Sequence, residues 1–391
     1  MFLSKKVRLL PTPEQEVLFW KSAGTARWAY NYFLAENEKF HQEHLRTGEN
    51  KGYLTGCDIR KYINNELKPT THTWLSEVGS NVMKQAVKDA ERALKNFLEG
   101  KKGKPKFKSK RKTTPSFYVN YESLKRTDNG FKGEKLGIVK TREPLPKLKQ
   151  NQHYVDPRIT YDGKYWYLSV GYDIEPYQIE LTGETLGIDL GIKDLAICSN
   201  GNIYKNINKT KKVKRLKRKI IKEQRNLSRK MKSNIKGYTS NRKPMFERPL
   251  NECKNFQKQK AKVKSLYKKL HDIRINYLHQ TTTEIVKTKP SRIVLEDLNV
   301  QGMMKNHHLS EAISEQGLYE FRRQMTYKCK LYGIELVFAD RFYPSSRTCS
   351  NCGNIKKDLK LSDRTYHCEC CGITIDRDFN ASINLARYGI S

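Results

Sequence analysis

Apolar positions along the chain change period several times, and each change marks a different kind of element. The opening FLSKKVRLL alternates apolar and polar residues, the pattern of a half-buried strand. From TPEQEV onward the period lengthens. Thr12 is placed to cap a helix, Pro13 fits its first turn, and Gln15 stands where a capping box needs it. Val17, Trp20, Ala23 and Gly24, then Trp28 and Tyr32, recur at helical spacing. A second helical run, NVMKQAVKDAERALKNFLEG, stops at Gly100. Residues 12–115 therefore read as a helical lobe closed by a loop that Gly and Pro break. Alternation returns in SFYVNYE, GFKGEKLGIVKT and DGKYWYLSVGYDI. This predicts a small β domain over 116–182, with residues 1–11 as a further strand.

The second half, 183–391, mixes both periods. TLGIDLGIKDLAICSNGNIY predicts two strands joined by a Gly turn. Val213, Leu216, Ile220, Leu227 and Met231 then keep heptad spacing, as do Val263, Leu266, Leu270, Ile273 and Tyr277. Two such stripes joined by a polar segment predict an antiparallel helical hairpin within 205–290. SRIVLEDLNV predicts a buried strand ending at Glu296 and Asp297. A helix over about 309–331 follows, marked by Leu309, Ile313, Leu318, Phe321 and Met325. GIELVFAD is a further strand, and FNASINLARYG a short final helix.

Charge changes the picture more than composition does. The 391 residues carry a formal charge of +35, with 76 Lys and Arg against 41 Asp and Glu. Such an excess is the footprint of a polyanionic partner, most often nucleic acid. It is concentrated in two places. Lys101–Lys112 holds eight basic residues and no acid, including Lys104, Lys106, Lys108, Lys110 and Arg111. Lys205–Lys269 holds 25 basic residues against three acids, including Lys214, Arg215, Lys217 and Arg218 on the first hairpin helix. These residues, with Arg347, are the expected nucleic-acid contacts. Phe107, Phe117, Tyr118 and Tyr121 lie among the basic residues and could stack on bases, though the strand pattern favours the β core for Tyr118 and Tyr121. No signal-peptide core and no window of about 18 apolar residues is present, so no membrane partner is expected and the chain reads as cytoplasmic, nucleoid-associated in a bacterium or archaeon.

Of nine cysteines, five fall in one short window. Cys349-x2-Cys352 and Cys368-x2-Cys371, fifteen residues apart, have strong zinc-ribbon spacing, predicted over 345–375. Gly353 and Gly372 follow each pair, where a knuckle needs a positive φ. Cys370 does not fit the spacing. Four thiolates leave no open position on the metal, so this site reads as structural. Chemistry points instead to acids at the edges of buried elements: Asp189 within an apolar run, Glu296 or its neighbour Asp297 closing another, and Asp376 or Asp378 just beyond the second knuckle. Hard oxygen ligands suit Mg²⁺ or Mn²⁺.

GIDLGIKDLA, IVLEDLNV and DRDFNASINL, with the four-cysteine ribbon before the last, resemble the split RuvC nuclease of the TnpB family. GKPKFKSKRK, GMMKNHHLSEAISEQGLYEFRRQMTYK and DRFYPSSRTCSNCG extend the resemblance, most specifically over 184–388. It implies a multidomain α+β chain: a helical recognition lobe, a small β-barrel wedge domain and an RNase H-like α/β nuclease domain with an inserted helical hairpin and zinc ribbon. It also implies an RNA-guided DNA endonuclease of a transposable element. Guide RNA and a target DNA duplex would be its partners, and Mg²⁺ (or Mn²⁺) and Zn²⁺ its ions. Asp189, Glu296 and Asp378 would be the catalytic acids, Asp378 standing two residues before Asn380 as the family's D-x-N-A pattern requires. The rivals are a guided repressor that binds without cutting and a transposase acting on element ends. Oligomeric state stays open.

Overall fold

The structure, a computed structural model, describes residues 1–47, 52–360 and 363–389. Residues 48–51 of the expected helical lobe and 361–362 of the expected ribbon lie outside the described set. Chain contacts divide it into two compact units, one ending at Ile174 and the next starting at Glu175.

The first unit is built on β1 (Phe2–Leu10), whose Val7 and Leu9 point into the core. Its antiparallel partners are β5 (Gly137–Thr141) and β7 (Trp166–Asp173). With β2 (Ser116–Tyr118), β3 (Lys125–Thr127), β4 (Gly130–Gly133) and β6 (Val155–Tyr161), they make a seven-stranded sheet in the order β2-β6-β7-β1-β5-β4-β3. That row has two ends, β2 and β3. Phe117 is core, whereas Tyr121 and Phe107 are exposed.

The helices of this unit are α1 (Pro13–Thr47), α2 (Gly56–Tyr62), α3 (Lys68–Thr70) and α4 (Ser80–Leu98). The capping box at the start of α1 forms: Thr12 N donates to Gln15 Oε1 (3.1 Å), and Gln15 N to Thr12 Oγ1 (3.3 Å). Gln15 Nε2 also reaches the carbonyls of Leu136 and Ile138, which ties the helix start to the sheet. The phase of α1 differs from the expected stripe. Val17 and Trp20 are exposed, and Phe19, Ala26, Tyr30 and Phe33 join Ala23 in facing the core. The helix is apolar on several sides because it packs on both α4 and the sheet, so its sequence admits more than one stripe. One core, from Phe19 and Val87 to Ile159 and Leu168, serves helices and sheet together.

The second unit centres on a five-stranded sheet in the order β10-β9-β8-β13-β14. These strands are β8 (Thr182–Leu190), β9 (Asp194–Cys198), β10 (Ile203–Lys205), β13 (Pro290–Glu296) and β14 (Glu335–Ala339). β8, β13 and β14 are parallel; β9 and β10 fold back antiparallel. Three strands thus occupy the stretch expected to hold two. The second turn uses Gly201 at φ +86°, where a side chain would be strained.

Between β10 and β13 lies the hairpin: α5 (Lys211–Lys232), a small pair β11 (Ile235–Tyr238) and β12 (Pro244–Phe246), and α6 (Lys254–Lys287). Val213, Leu216, Ile220 and Leu270, with Leu266 and Ile273, form its seam. After β13 come α7 (Val300–Met303), α8 (Ser310–Gln316) and α9 (Leu318–Tyr332). The single helix expected over 309–331 is therefore two, because Gly317 adopts φ +68° and ends α8. The C-terminal region holds the hairpin β15 (Thr365–His367) and β16 (Thr374–Asp376), then α10 (Arg377–Ala386). Among the described residues, no helix is long and apolar enough to cross a membrane.

Candidate active site and metal centre

Parallel pairing brings two of the three acids together. Leu295 of β13 lies opposite Ile188 of β8. Glu296 and Asp189 are the next residues along, at the carboxyl ends of neighbouring strands, where open α/β sheets place their ligands.

The third acid arrives on a helix, through a glycine. A Cβ on Gly187 would lie 2.0 Å from the Ser382 carbonyl oxygen and 2.3 Å from the Ala386 nitrogen. Only a residue without a side chain lets α10 lie so close on β8. From Gly187 to Asp189 the strand advances about 6.6 Å, and from Ser382 back to Asp378 the helix advances about 6 Å, so the two acids keep pace. Gly187→Ala is accordingly expected to displace α10. It should cost roughly 1–3 kcal/mol or more in stability, whereas Gly183→Ala should be nearly silent, nothing lying within 4 Å of its Cβ. Equal melting temperatures for the two variants would contradict this packing.

The electrostatics are those of a crowded acid site. Asp189 and Glu296 both keep a partial opening to solvent. Burial raises the carboxyl of Asp189 well above its ordinary range; Glu296 and Asp378 add to the rise, and Arg377 opposes it. Glu296 is raised by burial and by Asp378, against a hydrogen bond from Ser345 Oγ to its Oε1 (2.7 Å). Asp378 is held by Arg377, whose Nη2 lies 2.8 Å from Oδ1, with Arg364 at 3.9 Å from Oδ2. The alternatives in the sequence divide cleanly. Asp297 is ion-paired to Arg322 and Arg341, at 2.5 and 3.0 Å. Asp376 caps α10, accepting from the nitrogens of Asp378 and Phe379. Beside Glu296 an open cleft of about 160 Å³ is lined by Asp297, Asp340, Arg341, Tyr343 and Leu385, among others.

The cysteines make the tighter site. The sulfurs of Cys349, Cys352, Cys368 and Cys371 all lie within 4.8 Å of one another; among the described residues no other group of three or more metal-ligating side chains does so. The acids are thus a more open set than the thiols. Cys349–Cys371 and Cys352–Cys368 are 3.6 and 3.5 Å apart. A disulfide would be near 2.05 Å, while the edge of a tetrahedron with 2.3 Å zinc–sulfur bonds is about 3.8 Å. The two knuckles are copies of each other. Cys349 N donates to Asn354 O and Gly353 N to Cys349 O; Cys368 N donates to Ile373 O and Gly372 N to Cys368 O. Gly353 and Gly372 sit at φ +78° and +73°. A hydrogen bond from Asn351, then the Ile373 N–H, brings the Cys371 thiol down to about 6. Cys352, despite the N–H of Asn354, is pushed up to about 12 by desolvation and the three surrounding thiols, a conflict that a divalent cation would remove. Cys370 is exposed and outside the cluster.

Sequence reasoning misses the residues that join the two sites. Asn380, fully buried, donates from Nδ2 to Thr348 O (2.7 Å) and accepts from Ser350 N (2.9 Å). Asn384 Nδ2 reaches the carbonyls of Ser345 and Thr348, at 2.7 and 2.6 Å. Thr348 and Ser350 flank Cys349, and Ser345 bonds Glu296. Segment 345–350 therefore binds the first knuckle, α10 and Glu296 into one network. Two asparagines a helical turn apart, inside an otherwise apolar helix face, are the available sequence signal.

The expected nucleic-acid contacts divide in two. Lys104, Lys106, Lys110, Arg111, Lys214, Arg215, Arg218 and Arg347 are exposed. Lys104 also pairs with Glu38 at 3.1 Å. Lys108 turns inward, its Nζ 3.6 Å from the centre of the Tyr30 ring, and burial lowers its pKa. Lys217 is partly buried between Glu315 (2.5 Å) and Glu311 (3.4 Å). Both are occupied within the fold, because an acid or an aromatic face lies within reach of each.

Comparison with known proteins adds a family to this geometry. Residues 1–46 match a family described as a helix-turn-helix domain, residues 169–307 one described as "Probable transposase", and residues 319–385 the Cas12f1-like TNB domain. In this chain the first of these ranges folds as strand β1 and the single helix α1. A Streptomyces pristinaespiralis protein named "Putative RNA-guided DNA endonuclease" is 30% identical, over 99% of this chain and 89% of its own. "Putative RNA-guided DNA endonuclease InsQ" of Escherichia coli K12 is 28% identical, over 98% and 91%. In fold, the chain is similar to the protein of a Cas12f1–sgRNA–target DNA complex solved by cryo-EM, with a TM-score of 0.52 at 14% identity and 99% and 98% coverage. An N-to-C-terminal match at this identity, together with the transposase and TNB matches, places the chain in the TnpB family.

Proposed function

We propose that this chain is an RNA-guided DNA endonuclease in which Asp189, Glu296 and Asp378 form a RuvC-like, RNase H-type centre. The observation that carries the reading is the convergence of these three acids, supplied by two adjacent parallel strands and a helix packed on one of them, with the charges of Glu296 and Asp378 both bearing on buried Asp189. Like charges gathered in a partly open site favour a bound cation, and the hard oxygens of these acids suit Mg²⁺ or Mn²⁺. When bound, such ions activate water and stabilise the leaving oxygen of a phosphodiester. The chain's own part is positional. Ser345 orients Glu296, Arg377 screens Asp378, and Gly187 sets the distance between α10 and β8.

The four thiolates suit a structural Zn²⁺ that stiffens segment 345–350 and, through Asn380 and Asn384, the helix bearing Asp378. The first unit serves as recognition lobe and wedge domain, and the exposed lysines and arginines of the 101–112 loop and α5 contact guide RNA and target DNA. The charge of +35 supports this assignment, and binding should weaken steeply with salt. Pairing with the guide would read the target sequence, and the protein its shape and flanking motif. Co-expression with the native flanking DNA, followed by sequencing of the bound RNA, tests the reading. A discrete RNA ending in a variable stretch supports it, and random cellular RNA would remove the guide from the account.

A further inference from the structure

Phe342 is 87% exposed, the most exposed large apolar side chain among the described residues. It does not sit on a slack loop. Asp340 Oδ1 accepts from Phe342 N (2.8 Å), Asp340 O accepts from Tyr343 N (3.0 Å), and Asp340 N donates to the Tyr388 hydroxyl (3.1 Å). On one side Arg341 is ion-paired to Asp297 at 3.0 Å. On the other, the Tyr343 ring lies 4.9 Å from that of Tyr388, and its hydroxyl donates to Asn384 O. Both neighbours line the cleft beside Glu296 and are engaged by Asp297 or Tyr388, whereas the Phe342 ring stands in solvent.

A fixed backbone that presents an unpartnered ring at the rim of an acid cleft, in a strongly basic chain, is the geometry of a base-stacking platform. Resting on the nuclease reading above, we infer that Phe342 stacks on a nucleobase next to the scissile phosphate and so positions the single strand being cut over Glu296. Phe342 is then a positioning residue. It tolerates any base, since every base has a π face, and it adds grip on the strand without reading sequence.

The test uses the ribonucleoprotein carrying its co-purified RNA and a matching target with 2-aminopurine scanned along each strand. In an Asp189→Asn background, which holds DNA uncut, one or two positions next to the cut site should be quenched. Phe342→Ala and Phe342→Leu should both abolish that quenching, and Phe342→Trp should keep it. In the otherwise intact chain, Phe342→Ala and Phe342→Leu should raise KM about tenfold with kcat little changed, the size of one lost stack. Quenching that survives Phe342→Ala, or a Leu variant with parental KM, would overturn the platform. Cleavage that persists after Asp189→Asn would instead sink the nuclease reading itself, so the two failures are told apart.

Discussion

Asp189→Asn is expected to abolish guided cleavage, by on the order of 10³-fold or more, and to leave RNA and target binding intact. The reason is local. Asp189 is buried within reach of the charges of both Glu296 and Asp378, and an amide offers a cation no negative charge. The same variant should make the metal-free protein more stable. Burial, with neighbouring acids, raises the folded-state pKa of Asp189 and Glu296 above their unfolded values near 4. The folded chain then holds protons that the unfolded chain releases. Stability from these groups is complete below about pH 4 and is lost as pH rises through the folded pKa values. At neutral pH, Asn at 189 removes that loss and should raise Tm in the presence of a chelator. Mg²⁺ should raise the Tm of the parent more than that of the variant. A thermal melt with and without Mg²⁺ measures both. Equal Tm values without metal, or equal gains with it, would contradict the acid site described.

Cys349→Ser should have an effect of similar size by another route. Structural zinc sites contribute on the order of 10 kcal/mol to the folding of the segment that holds them. Losing one thiolate should release the ion and free Thr348 and Ser350, and with them the hydrogen bonds of Asn380 and Asn384. Zinc content should fall to near zero, amide exchange should rise across 345–387, and cleavage should be lost. Cys370→Ser, outside the cluster, should change none of these. Full zinc occupancy in Cys349→Ser, or unchanged exchange in α10, would separate the ribbon from the acid site.

What could be read in the sequence followed from local rules. A charge inside or at the end of an apolar run is conspicuous, so Asp189 and Glu296 stand out; the CxxC spacing and its glycines announce the knuckles; the capping box of α1 lies within four residues. What stayed hidden depends on partners distant in sequence. Asn380 and Asn384 look like polar residues on a helix until Thr348 and Ser345 are placed against them. Gly187 reads as an ordinary strand glycine until α10 lies across it. Lys108 and Lys217 are indistinguishable from neighbouring cations until Tyr30, Glu311 and Glu315 arrive. The phase of α1 and the break at Gly317 fail for a related reason: apolar periodicity is degenerate where a helix has two neighbours, and a single left-handed residue leaves it almost undisturbed.

The most direct measurement is guided cleavage by the purified ribonucleoprotein, with its RNA rewritten to match a new plasmid site. The account predicts a cut at that site and at no other, only with Mg²⁺ or Mn²⁺, and none with Asp189→Asn, Glu296→Gln or Asp378→Asn. Cutting that ignores the rewritten RNA, or that persists in any of the three variants, would contradict it.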